Sequence, residues 1–317
     1  MNSLLRGNAL FALAAAILWG GGDFSGGMGV KSAGGGIRNA LRVVLMSHAT
    51  SFVALLAIAG LRGDVFPQGA LLAWGLAAGV AGGLAVTCFY TALSRGAMGA
   101  SAALSGLLAA AIPAGLTLWR DGSPGVLPMV GFAVAGTAIW LIAARPAAGR
   151  MDAQAGSPAH TARRGNGLGT GFGTGFGTGM LALLSGVGFG LYFIALKMAG
   201  PAGVVWPMAT ARMGSLGVCS LTLLGLRLQP GGSGEARARP DLRVMGWAFA
   251  TAVLDTSGNL LFLAATRAGR LDVAAVLGSL YPASTIVLAA LALGELPTRR
   301  QALGMATAVA AVALIAM

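Results

Sequence analysis

Charge is scarce in this chain: only 9% of its 317 residues are Asp, Glu, Lys or Arg. Soluble domains carry roughly 25%, because their surfaces must face water. A globule solvated on every side is therefore excluded. Histidine is nearly absent, and with only His48 and His160 a histidine-rich metal site cannot be assembled. The two cysteines, Cys88 and Cys219, both fall inside apolar runs and read as buried free thiols. Enzymatic signatures are missing too: no HExxH, no paired Asp-rich motif, no nucleophile elbow. Without a Walker motif the chain cannot pump on ATP by itself, and no metal or cofactor is expected. The formal net charge is +12, but its 21 Lys and Arg are scattered through connecting segments rather than clustered on one basic face. That pattern excludes nucleic acid as a partner and fits attraction to anionic lipid headgroups.

What the chain has is apolar length. Hydrophobic residues make up 56% of it, and mean hydropathy is +0.80. Runs of about 20 apolar residues match the thickness of the bilayer's hydrocarbon core in helical form. Ten such spans are predicted, at about 8–29, 37–60, 69–93, 98–119, 126–144, 178–198, 203–226, 244–266, 271–293 and 300–316. The expected fold class is an all-α polytopic membrane protein. Breaks such as Arg62-Gly63-Asp64, Arg120-Asp121-Gly122-Ser123-Pro124 and Gly200-Pro201 mix Gly or Pro with charge, as helix ends at an interface do. Arg6 followed by apolar residues 9–18 resembles a signal peptide. The apolar stretch continues through Trp19 to about Val30, so it reads as an uncleaved first span.

The longest break divides the chain into a first five-helix repeat over 1–144, a linker over 145–177 and a second repeat over 178–317. Residues 169–180 read Gly-Thr-Gly-Phe twice and then Gly-Thr-Gly-Met, a flexible glycine-rich connection. No strand precedes it and no Lys-Ser/Thr follows it, so it is not read as a phosphate loop. The halves resemble each other at near-constant offsets. Ala92-Leu93-Ser94-Arg95 matches Ala264-Ala265-Thr266-Arg267 at a shift of 172, Pro124 and Gly131 match Pro297 and Gly304 at 173, and Arg42 matches Arg212 at 170. Five spans per half is an odd number, so the second copy enters from the opposite side. The result is an inverted repeat, which places a solute site near the membrane midplane. Gly75, Gly79 and Gly83 recur on one face of the third span, the small-residue spacing that lets membrane helices approach closely.

Leu18-Trp19-Gly20 in the first span, and Gly294-Glu295-Leu296-Pro297 followed by Gln301 and Gly304, carry a resemblance across nearly the whole chain. In order and spacing they resemble the drug/metabolite transporter superfamily, in its ten-helix branch of two EamA-type repeats. Gly278-Ser279-Leu280-Tyr281-Pro282 and Ala92-Leu93-Ser94 look like the bacterial aromatic-amino-acid exporters. The first repeat departs from the pattern near Gly122, where no acidic residue matches Glu295, and the fourth span has no aromatic residue before Pro113. The resemblance implies a monomeric, multi-pass exporter in a bacterial inner membrane, carrying amino acids by alternating access. Multidrug, nucleotide-sugar and sugar-phosphate transport remain open within the superfamily. It also implies cytoplasmic termini, whereas counting basic residues on each side places the termini outside.

Ionisable groups within a bilayer cost about 2.5–3.5 kcal/mol each on insertion scales, so each is a candidate for function. Asp23, Arg42, His48, Arg212 and Asp255 qualify. An Arg can fork onto a carboxylate and an Asp can pair with an ammonium, as an amino-acid substrate requires. The alternative is that these charges neutralise one another and lock the bundle. His48 reads as an interhelical hydrogen-bond donor. Trp19, Tyr90, Tyr192, Trp206 and Tyr281 are polar-tipped aromatics within or near the spans, while Trp74, Trp119, Trp140 and Trp247 read as interface anchors. The expected binding set is Trp19, Asp23, Tyr90, Tyr192, Arg212, Asp255, Asn259, Ser279 and Tyr281, acting on a small molecule. A lipid-active enzyme and a channel are the competing classes, and neither has its signature here.

Overall fold

A backbone solvated by lipid finds no water for its N–H and C=O groups and must satisfy them internally. Accordingly, every regular element among the described residues is helical. The computed structural model describes residues 2–95, 98–143, 170–228, 241–293 and 298–316. The first half runs α1 (Asn2–Ser32), α2 (Gly36–Arg62), α3 (Gly69–Arg95), α4 (Met98–Asp121) and α5 (Val126–Ala143). The second runs α6 (Thr170–Ala199), a 3-10 turn (Gly200–Ala202), α7 (Val205–Leu228), α8 (Leu242–Ala268), α9 (Leu271–Gly278), α10 (Tyr281–Leu293) and α11 (Arg299–Ala316). Eight segments are long and apolar enough to cross a membrane, with α9 and α10 together forming one of them. The shorter α5 and α11 pack along each other and complete ten crossings.

The ten predicted spans and the helices coincide to within a few residues, with two informative differences. Residues 170–177, read from sequence as part of the linker, form the first turns of α6. A helix already anchored downstream extends at low cost, because each added residue gains a hydrogen bond without a new nucleus. The rest of the linker lies outside the described residues, as does the Gly294-Glu295-Leu296-Pro297 motif. The ninth span is also discontinuous: α9 stops at Gly278 and α10 begins at Tyr281. Pro282 therefore sits in the first turn of α10, where its missing N–H breaks no helical hydrogen bond. A proline inside an apolar span predicts a kink; here the helix is instead interrupted just before it.

Packing repeats with the halves exchanged. α1 lies along α8 as α3 lies along α6, while α2–α7 and α5–α11 map onto themselves. Successive helices reverse direction, so each element and its counterpart five crossings later run oppositely. This exchanged packing is the pattern an inverted repeat produces.

Small residues make these approaches possible. A Cβ on Gly79 would lie 1.9 Å from the Ala211 carbonyl oxygen, and one on Gly214 would lie 2.2 Å from that of Leu76. Backbone meets backbone where α3 crosses α7, as the glycine spacing predicts. Large apolar side chains turn outward instead: Leu61, Leu221 and Leu291 are among the most exposed residues. Trp74, Trp119 and Trp140 are exposed as interface anchors should be, whereas Trp247 is half-buried, edge-on to Phe24. Cys219 is buried and Cys88 half-buried, and both are free thiols.

Candidate functional site

Between the halves, near the middle of their spans, lies a partly open cavity whose empty space, its mouth included, is about 550 Å³. Its wall draws on both repeats: Trp19, Asp23, His48 and Val86 from the first, with Phe189, Phe193, Arg212, Asp255 and Tyr281 among those from the second.

The Leu18-Trp19-Gly20 motif builds one wall. A Cβ on Gly20 would lie 2.1 Å from Ser284 Oγ and 2.8 Å from the Tyr281 carbonyl oxygen. Glycine there lets the start of α10 seat against α1. The Ser284 hydroxyl then donates to the Ala16 carbonyl at 3.0 Å and Thr285 to that of Gly20 at 3.3 Å. Trp19 stacks on Phe193 with ring centroids 5.3 Å apart at 14° and lies against Gly258 of α8.

Opposite runs a continuous polar chain. The Arg212 guanidinium forms a buried ion pair with Asp255 through Nη2 and donates from Nη1 to His48 Nε2 at 2.8 Å. A guanidinium only donates, so His48 Nε2 must carry a lone pair. His48 is therefore the neutral Nδ1–H tautomer, donating to Ser215 Oγ at 2.6 Å. On the other side of the pair, Asn259 Nδ2 donates to Asp255 Oδ1 at 3.0 Å, and the Tyr192 hydroxyl donates to Asn259 Oδ1 at 2.7 Å. Six side chains from α2, α6, α7 and α8 thus form one network, and the charges of Arg212 and Asp255 neutralise each other within it.

Of the nine predicted site residues, the cavity brings together Trp19, Asp23, Tyr192, Arg212, Asp255, Asn259 and Tyr281. Tyr90 is absent from the wall: its ring fills the gap beside Gly26, where a Cβ would come within 2.3 Å. Ser279 lies at the α9–α10 break, its hydroxyl buried and without a hydrogen-bond partner among the described residues. Arg42 stands apart from the cavity and donates to Asn39 Oδ1 at 2.9 Å. His48 is more than the interhelical donor expected, since it also accepts from Arg212. Phe189 and Phe193 escape a sequence reading, because an apolar ring in an apolar span carries no sign of which way it faces. Their spacing of four around Tyr192, which puts all three on neighbouring helical positions, is the available signal.

The end of the bundle that carries both termini is held by a second polar cluster. Arg270, in the α8–α9 connection, donates to Asp272 Oδ2 at 2.8 Å and to the Gly122 carbonyl at 2.6 Å. Its own carbonyl accepts from Asn8 Nδ2 at 3.1 Å. Hydrogen bonding to Asp272 raises the Arg270 pKa above its ordinary value, keeping it charged. The Trp206 indole ties α7 to the Asp64 carbonyl at 2.9 Å on the same side. Trp206 thus acts as an interface clasp rather than a cavity residue.

Comparison with known proteins supports the fold and half of the family resemblance. The EamA-like transporter family model matches residues 177–317, so the second repeat carries that family's domain. A solved crystal structure is similar over 97% of this chain and 95% of its own, with a TM-score of 0.66. At 16% identity that likeness establishes the fold alone. No curated protein matches the chain. Residues 177–317 match the EamA-like transporter family and form the second half of a ten-helix, multi-pass membrane protein.

Proposed function

We propose that the protein is a secondary transporter that exports small organic solutes from a bacterial cell by alternating access, with aromatic and other neutral amino acids as its leading substrates. The observation that carries this reading is a cavity lined by residues of both halves, whose packing repeats with the halves exchanged. Rocking one half against the other around such a site exposes it to each side in turn. The aromatic wall supplies apolar contact, and the Arg212–Asp255 network supplies the few fixed polar groups that orient a small ligand. The protein acts on a small molecule as a monomer, without a cofactor. Competition in proteoliposomes among amino acids, nucleotide sugars and cationic dyes tests the substrate class. A second reading, export of hydrophobic cations, gains support from the engagement of Arg212 by Asp255 and His48, which limits its freedom to receive a substrate carboxylate.

Tyr281 provides a graded check on the aromatic wall. Its ring meets Phe89 edge-on at 6.0 Å and its hydroxyl donates to the Ala102 carbonyl at 3.2 Å. Losing a ring contact costs about 0.5–1.5 kcal/mol beyond area burial. Transport assays of Tyr281→Ala should show phenylalanine export falling several-fold more than threonine export. Equal losses would reduce Tyr281 to a packing residue.

A further inference from the structure

One carboxylate in the cavity has no counterpart. Asp23 is 8% exposed, faces the cavity and makes no hydrogen bond or ion pair among the described residues. Several donors on the cavity wall are committed elsewhere. Both Tyr192 and Asn259 serve the Asp255 network, His48 serves Ser215, and Tyr281 serves the Ala102 carbonyl. Arg212 is already paired with Asp255. The second carboxylate is close by as well: α1 meets α8 at Gly22, where a Cβ would lie 3.2 Å from the Asp255 backbone nitrogen. Among the described residues lining the cavity, then, two carboxylates share one guanidinium, with His48 neutral.

A lone carboxylate in a low-dielectric cavity lacks a cation and a hydrogen-bond donor. An alkylammonium supplies both. The rings that share the wall with Asp23, those of Trp19, Phe189, Phe193 and Tyr281, supply aromatic surface for a cation and its apolar body. A phosphate or an isolated carboxylate would instead meet an excess of negative charge. We infer that Asp23 is the ammonium-binding residue of the cavity, so that its substrates carry a protonated amine on an apolar or aromatic body and anionic solutes are excluded. This rests on the reading of the cavity as the transport site, and it selects among the substrate classes left open there.

The test is equilibrium binding to the purified full-length protein in nanodiscs, with three probes that share a phenyl ring on a short chain. These are 2-phenylethylamine, L-phenylalanine and 3-phenylpropionate. The amine binds and the phenylpropionate does not. Asp23→Asn weakens amine binding about thirtyfold or more, the range for removing one partner of a desolvated charge pair. Asp23→Glu keeps the preference for amine over phenylpropionate. Tighter binding of phenylalanine than of the amine assigns the ammonium to amino acids, and the reverse order assigns it to organic cations; either supports the subsite. Val86→Phe, which places a ring in the cavity, separates the location of the site from the role of Asp23. If it leaves amine binding intact, the cavity is not the site. If it abolishes binding while Asp23→Asn does not weaken it, the cavity stands and the ammonium subsite is overturned. Absence of amine binding to the unaltered protein, or equal binding of 3-phenylpropionate, also overturns it.

Discussion

Removing either partner of the Arg212–Asp255 pair destabilises the protein by about 3–5 kcal/mol, because the survivor is left as an uncompensated buried charge. Arg212 is 5% exposed and Asp255 18%, so little water reaches what remains. Arg212→Gln strands the Asp255 carboxylate with only Asn259 to donate to it. It also removes the donor to His48 and to Thr256 Oγ1, which Arg212 Nη2 reaches at 3.2 Å. Asp255→Asn strands a guanidinium whose Nε already lacks a partner. The double variant Arg212→Gln/Asp255→Asn restores neutrality and can replace the ion pair with amide hydrogen bonds, so it should be more stable than either single variant. Thermal unfolding in detergent across this cycle measures the coupling directly. Additive losses would show that the pair contributes no interaction of its own. Transport should fall in both single variants while membrane insertion persists.

Gly79→Leu is also expected to damage the fold, through packing alone. A Cβ at this position would clash with the Ala211 carbonyl oxygen and lie 2.8 Å from the Ser215 nitrogen. These are backbone atoms of α7, which cannot rotate away as a side-chain tip can. Overpacking of a filled interior typically costs about 1–3 kcal/mol, and this contact is tighter than most because two backbones already touch. α3 and α7 must separate, which also displaces Arg212 and Ser215 from the cavity wall. Gly136→Leu serves as the control, since no atom lies within 4 Å of a Cβ there. Size-exclusion profiles and thermal unfolding should show Gly79→Leu aggregating or melting early, with Gly136→Leu close to the unaltered protein. Similar behaviour of the two would mean that the α3–α7 crossing is looser than the glycines indicate.

Much of this architecture is legible in the sequence because lipid imposes so few solutions. Span lengths follow from bilayer thickness, and the odd count of five per half fixes the inversion. The Gly75, Gly79 and Gly83 spacing names the face of α3 that meets α7. Side-chain pairing is harder to read. Arg212 and Asp255 each stand out as intramembrane charges, yet nothing local says that they choose each other and leave Asp23 alone. That outcome depends on where α1, α7 and α8 cross. Tyr90 and Tyr281 look equivalent as polar-tipped aromatics, and only the proximity of Gly26 to one of them diverts it into packing. The interruption of the ninth span is legible only as a kink at Pro282, because a proline in a first turn and a proline at a kink share the same sequence.

Alternating access at a midplane cavity is decided by counterflow in proteoliposomes. Vesicles loaded with unlabelled phenylalanine or 2-phenylethylamine should accumulate the labelled solute faster than empty vesicles, and the uptake should saturate. Val86→Phe should abolish both behaviours. Uptake that rises linearly with concentration and ignores internal solute, or no solute-dependent uptake at all, would rule out transport by this route.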